Sequence, residues 1–102
     1  MTRVDPADLA WIEPGPGVRY KSVNQHGHRV RLIEFLDGFQ EPDWCRRGHI
    51  GYILAGRLEV AFSNRVETFT AGDILLIAAG EEDQHRARVL EAPVRIFVVE
   101  DE

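Results

Sequence analysis

The feature that most constrains this chain is a succession of short apolar segments, each cut off by a turn signal within seven residues. Val18–Val23, Val30–Leu36, His49–Leu54, Arg57–Phe62, Val66–Phe69, Ile74–Ile77, His85–Val89 and Val94–Val99 are rich in Val, Ile, Leu and Phe. Between or before them stand Pro14-Gly15-Pro16-Gly17, Asp37-Gly38, Ala55-Gly56, Ser63-Asn64, Ala71-Gly72-Asp73, Gly80-Glu81-Glu82-Asp83 and Ala92-Pro93, residues that set or tolerate turn dihedrals. Several segments alternate with period two. Leu58, Val60 and Phe62 share one face, and Glu59, Ala61 and Ser63 the other, the pattern of a half-buried strand. Strands of this kind, repeating at about 8–12 residues, predict an all-β antiparallel sandwich or barrel. The single helical expectation is one turn around Pro6–Trp11, with Asp5 as its cap and Pro6 in its first position.

A chain of 102 residues has room for one core. Residues 1–102 are read as one domain, with 1–17 as an N-terminal extension and 18–100 as the barrel. The charge balance of 12 basic against 17 acidic side chains, net −5, argues against a general phosphate-backbone binder, so no nucleic-acid partner is expected. No membrane association is expected either. The longest apolar run, Ile74–Ala79, is far short of the ~20 residues that span a bilayer, and the first eight residues lack the apolar stretch of a signal peptide. One cysteine cannot close an internal disulfide. The expected location is cytoplasmic.

The segment Glu41-Pro42-Asp43-Trp44-Cys45-Arg46-Arg47-Gly48-His49 concentrates groups with chemistry. Asp43, Cys45 and His49 are all metal-ligand types of one parity. In a strand, Asp43 and Cys45 would point to the same side about 6.6 Å apart, whereas Cys45 and His49 would be about 13 Å apart, too far to share an ion. For them to meet, the chain must bend at Arg46-Arg47-Gly48, and Gly48 is the residue that permits it. Asp83 and His85 repeat the two-residue spacing after Gly80. The bland alternative is a buried cysteine, solvated aspartates and hydrogen-bonded histidines.

From Gly38 to Ala87 the chain resembles the two motifs of the cupin superfamily of small β-barrels. The first runs His-x-His, three or four residues, Glu, six residues, Gly; here Asp43-x-Cys45, three residues, His49, six residues, Gly56. The second runs Gly, five residues, Pro-x-Gly, two residues, His, three residues, Asn; here Gly72, five residues, Ala78-Ala79-Gly80, two residues, Asp83, three residues, Ala87. The resemblance implies a cupin-like jelly-roll β-barrel with a metal at the positions of Asp43, Cys45, His49 and Asp83. All four identities differ from the family's usual ligands, yet each can still bind a metal. The chain also resembles a divergent single-domain subgroup carrying a Trp-Cys…Gly-His-x-Gly-Tyr pattern, here Trp44-Cys45 through Tyr52. That likeness ranks Cys45, His49 and His85 above the aspartates.

A thiolate with imidazoles favours a divalent transition metal, zinc or iron, with nickel or copper less favoured. The resulting expectation is a cupin-fold protein whose polar, metal-binding cavity holds a small molecule. If it is an enzyme, it is a metal-dependent one acting on a small polar metabolite. The rival expectations are a metal-free ligand-binding or sensor domain, and a structural homodimer module pairing through sheet faces or through Val18–Val23 as an edge strand. In a metal-free variant Cys45 is a nucleophile activated by His49 or His85, with Arg46 and Arg47 lowering its pKa. His26-Gly27-His28 reads as a turn with exposed imidazoles, a second metal site being the lesser alternative. Phe62, Phe69 and Phe97 are expected in the core, Trp44 and Tyr52 at the cavity mouth, and Glu100-Asp101-Glu102 as a solvated tail.

Overall fold

The structure, a computed structural model, describes residues 2–101. A 3-10 turn at Pro6–Asp8 opens the chain, capped by Asp5, whose side chain accepts from the Ala7 N–H at 3.0 Å. It is shorter than the turn expected up to Trp11. Seven strands follow among the described residues: β1 (Ile12–Gly15), β2 (Val18–Gln25), β3 (His28–Phe35), β4 (His49–Phe62), β5 (Val66–Thr70), β6 (Ile74–Ile77) and β7 (His85–Asp101). All pairings are antiparallel, in the order β1-β2-β3-β7-β4-β5, with β6 also paired to β4. No helix among the described residues is long and apolar enough to cross a membrane.

Two pairs of sequence segments fuse. His49–Leu54 and Arg57–Phe62 form the continuous β4, and His85–Val89 and Val94–Val99 form β7. The β4–β7 register shifts between Ile53 and Leu58, and this bulge reverses parity. Gly51 and Ile53 point inward before it, and Leu58, Val60 and Phe62 after it. Without the shift one half would turn its apolar set to water, at a cost of about 1.5–3 kcal/mol per large side chain. β7 does the same: Ala87 is buried ahead of the irregularity, and Val94, Ile96 and Val98 beyond it. Gly56 makes this geometry possible. Its φ is +81°, and a Cβ there would lie 2.4 Å from the Pro93 carbonyl oxygen. Any other residue meets both left-handed strain and a backbone clash.

The core is a single cluster that includes Ile33, Phe35, Ile53, Leu58, Val60, Phe69, Val94 and Ile96. Phe62 and Phe69 belong to it as expected, but Phe97 does not: it sits at an outward-facing position of β7 and is 41% exposed. Val18–Val23 is an edge only in part, since the β1 pairing ends at Tyr20. β2 is flanked by β3 along its whole length and by β1 at Ile12↔Tyr20 and Gly15↔Val18. The Pro14-Gly15 signal therefore ends a short covering strand. Between β2 and β3, His26 (φ 54°) and Gly27 (φ +79°) form a two-residue hairpin loop with the two positive φ values of a type I′ turn. Both His26 and His28 are exposed.

Candidate functional site

The chain between β3 and β4 delivers the thiol. Phe39 stacks on Phe35 with ring centroids 4.7 Å apart, and from there the segment runs beside the first half of β7. The Val89 N–H donates to the Phe39 carbonyl, the Glu41 N–H to Ala87, and Cys45 and His85 exchange both backbone bonds at 2.8 and 2.9 Å. Cys45 is thus directly opposite His85. Beyond it the chain turns: the Arg46 carbonyl accepts from the Gly80 N–H at 2.9 Å. Gly48 slips past Ile77–Ala79, where a Cβ would lie 3.0 Å from the Ala79 nitrogen. The bend closes the gap that a straight strand would leave, and Cys45 Sγ lies 3.7 Å from His49 Nε2.

Cys45, His49 and His85 present ligand atoms that all lie within 4.8 Å of one another. Both imidazoles are oriented from behind. His49 Nδ1 lies 2.7 Å from Glu100 Oε2. The ring N–H is not aimed squarely at that oxygen, so the contact is an ion pair more than an aligned hydrogen bond. His85 Nδ1 lies 2.9 Å from the Asp83 carbonyl oxygen, and its ring stands edge-on to that of His49, centroids 5.1 Å apart. Each histidine therefore keeps Nε2 for the side of the thiol.

Glu100 is held in turn by Arg31, through Nε at 2.7 Å and a second nitrogen at 2.8 Å, and by Arg29 at 3.1 Å. It is no part of a solvated tail. It continues the inward series Val94, Ile96, Val98 and its side chain is fully buried; Asp101 is exposed, and Glu102 lies outside the described residues. The alternation of β7, extended by one step, was the signal that could have found it.

The electrostatics follow from these contacts. Hydrogen bonds from His49 and then His85 pull the Cys45 thiol down to about 5, against the burial that opposes ionisation. For His49 burial alone would lower the pKa, but Cys45 and Glu100 outweigh it and raise it to about 9. His85 is raised by Cys45 and the Asp83 carbonyl, again against burial. His49 and Arg31 hold Glu100 far below the usual carboxylate range, although burial opposes it. At neutral pH the cluster is a thiolate–imidazolium pair backed by a buried carboxylate. Beside it Glu41, whose Oε1 accepts from the Ala87 N–H at 3.0 Å, is pushed up by burial.

Asp43 and Asp83 are not brought into this group. Asp43 is exposed, and a carboxylate oxygen of Asp83 takes the Ala78 N–H at 3.2 Å; its backbone carbonyl is what reaches His85. Trp44 and Tyr52 are exposed and do not line the cavity. The cavity itself measures about 330 Å³, with Cys45, His49, His85, Glu41 and Arg47 among its walls.

The donor set passes a chemical test for a metal. A tetrahedral zinc ion with ordinary Zn–S and Zn–N bonds separates its ligand atoms by roughly 3.3–3.6 Å, so rotamer-scale closure of this triangle is enough. Pinned Nδ1 atoms are the usual outer support of metal-binding histidines.

No family model and no curated protein matches the sequence. Solved structures do match the fold. An RmlC-like cupin from Shewanella frigidimarina superposes with a TM-score of 0.81 at 16% identity, covering 100% of this chain and 92% of that one. KdgF from a Halomonas species gives 0.75 at 21% identity, covering 94% and 89%. The polyketide cyclase RemF from Streptomyces resistomycificus gives 0.80 at 19% identity, covering 99% and 79%. Strand order, bulged long strands and these superpositions lead to one identification: the chain has the fold of the cupins.

Proposed function

We propose that this barrel binds a zinc or iron ion through Cys45, His49 and His85, and that its cavity takes up a small molecule beside that ion. The observation that carries the reading is the paired orientation of the histidines. Each Nδ1 is engaged by an oxygen, and each Nε2 is left for the side where the thiolate lies. Three soft-to-intermediate donors suit zinc or iron and leave one tetrahedral position open for a ligand. When bound, such an ion supplies Lewis-acid polarisation of an oxygen donor. The chain's own residues do the rest: Glu100 orients His49, the Asp83 carbonyl fixes the His85 tautomer, Arg29 and Arg31 hold Glu100, and the apolar walls exclude water.

The test is elemental analysis of protein purified under reducing conditions. Near-stoichiometric zinc or iron in the wild type, lost in Cys45→Ser and His85→Ala, is the expected result. A metal-free wild type overturns the reading. One observation favours a second function, a metal-free binding or sensor domain: the thiolate and imidazolium already compensate each other. That function predicts ligand-induced thermal stabilisation with no metal present. The free thiol suits a reducing compartment such as the cytoplasm.

We also propose a homodimer. Ile50, Tyr52, Leu54, Ile74, Leu76 and Phe97 are exposed on adjoining outward positions of β6, β4 and β7. From their fractional exposures they offer on the order of 700 Å², close to the ~800 Å² that each partner gives to a standard interface. An uncharged face can meet its own copy without the repulsion that a net charge of −5 creates elsewhere.

A further inference from the structure

We propose that the molecule bound in the cavity is a small organic carboxylate with an apolar body, its carboxylate paired with Arg47. The inference rests on the reading of this cavity as the ligand site, and it adds the ligand's chemical class.

The two neighbouring arginines have different fates. Arg46 points outward and is tied to Gln84 at 3.2 Å and to Glu81 at 3.2 Å. Arg47 lines the cavity, and among the described residues its guanidinium has no hydrogen-bond or ion-pair partner. Cations also outnumber anions on this wall. The guanidiniums of Arg29, Arg31 and Arg47 line it, against two carboxylates: Glu100, buried behind the wall and paired with the first two, and Glu41, one oxygen of which is occupied by the Ala87 N–H. This excess sits in a chain whose net charge is −5, so the local field draws an anion to a place the rest of the surface does not.

Three observations narrow the anion. A single free guanidinium matches the two oxygens of a carboxylate in fork-to-fork geometry. Phosphate gains less here, because among the described residues no helix N-terminus adjoins the cavity to hold a third and fourth oxygen. Away from the polar cluster the walls are mostly apolar, Ile33, Phe39, Leu58, Leu75 and Val98 among them, with Tyr20 adding a single hydroxyl, which is too few side-chain partners for a polyhydroxylated body. A volume of about 330 Å³ lies at the small end of ligand sites.

The experiment is calorimetric titration of the protein as purified with hexanoate, hexanamide, gluconate and inorganic phosphate, for wild type, Arg47→Gln and Arg47→Lys. Zinc and iron content is measured on the same samples. Arg47 is exposed and unpartnered, so the variants should melt with the wild type in the absence of ligand. The expected result is binding of hexanoate over the other three probes, weakened roughly 10–100-fold in Arg47→Gln and partly restored in Arg47→Lys. Equal binding of hexanamide, tighter binding of gluconate or phosphate, unchanged hexanoate affinity in Arg47→Gln, or no hexanoate binding at millimolar concentration overturns the inference. Metal content separates the two readings. Metal without carboxylate binding overturns only this one, and carboxylate binding without metal overturns only the metal centre.

Discussion

Replacing Glu100 by Gln removes one charge from the place where four charged or chargeable groups meet. The carboxylate side chain is fully buried, 2.7 Å from His49 Nδ1 and 2.7 Å from Arg31 Nε, with Arg29 at 3.1 Å. Glutamine keeps the volume, so the perturbation is electrostatic. Three cationic groups lose their shared counter-charge, and a side-chain NH₂ now faces donors. Removing one member of a buried pair costs about 3–5 kcal/mol. Arg29 and Arg31 keep 24% and 15% of their side chains exposed, so water screens part of the repulsion and the lower end, about 3 kcal/mol, is expected. For a domain of this size that is a fall in Tm of about 12 °C. The assay is urea unfolding of metal-free protein at pH 7 and fixed concentration, with m compared between variants. Glu91→Gln is the control: its pair with Arg57 is formed by side chains 65% and 45% exposed, and its loss should cost no more than about 0.5 kcal/mol. If Glu100→Gln lies within about 1 kcal/mol of wild type at equal m, Glu100 does not compensate a desolvated cationic cluster, and the account of His49 fails with it.

Other consequences are open to direct measurement. In metal-free protein the depressed pKa of Cys45 makes stability rise with pH from about 5 towards the thiol's unfolded value, whereas the raised pKa of His49 makes it fall from about 6.5 to about 9. The two slopes oppose each other above 6.5, where His85, also raised, adds to the fall, so wild type should gain stability from pH 5 to 6.5 and then decline only gently. Cys45→Ser removes the rising contribution and should lose stability steadily above pH 6.5; a level profile there would disprove the coupling. Gly56→Ala should destabilise by about 2 kcal/mol or more, from left-handed strain plus the clash with the Pro93 carbonyl; unchanged urea unfolding would refute the bulge's role. Leu76→Glu alters a side chain 75% exposed on β6. It should halve the mass seen by light scattering while leaving the far-ultraviolet spectrum unchanged, and a wild type that is already monomeric rules out the dimer face.

How much of this was readable before folding depended on the range of the interaction. Local chemistry was legible. Period-two alternation marked Leu58, Val60 and Phe62 as inward-facing, turn residues marked strand limits, and the distance from Cys45 to His49 required a bend at residues 46–48 that the fold makes. What could not be read was long-range. Ala55-Gly56 looks the same whether the chain reverses or bulges, because a glycine at positive φ serves either; only pairing with β7 decides. Motif position points to Asp43 and Asp83 as ligands, and residue type puts Phe97 in the core and Glu100 in solvent, but the tertiary structure assigns them otherwise: Asp43 to solvent, the Asp83 carboxylate to a turn, Phe97 outside and Glu100 within. By itself the sequence determined which residues were able to do chemistry and which stretches had to be strands. The tertiary structure alone decided which of those residues meet, because Cys45, His49, His85 and Glu100 come from three separate stretches of chain. Their charges acquire meaning only once β4 and β7 lie side by side and shut water out.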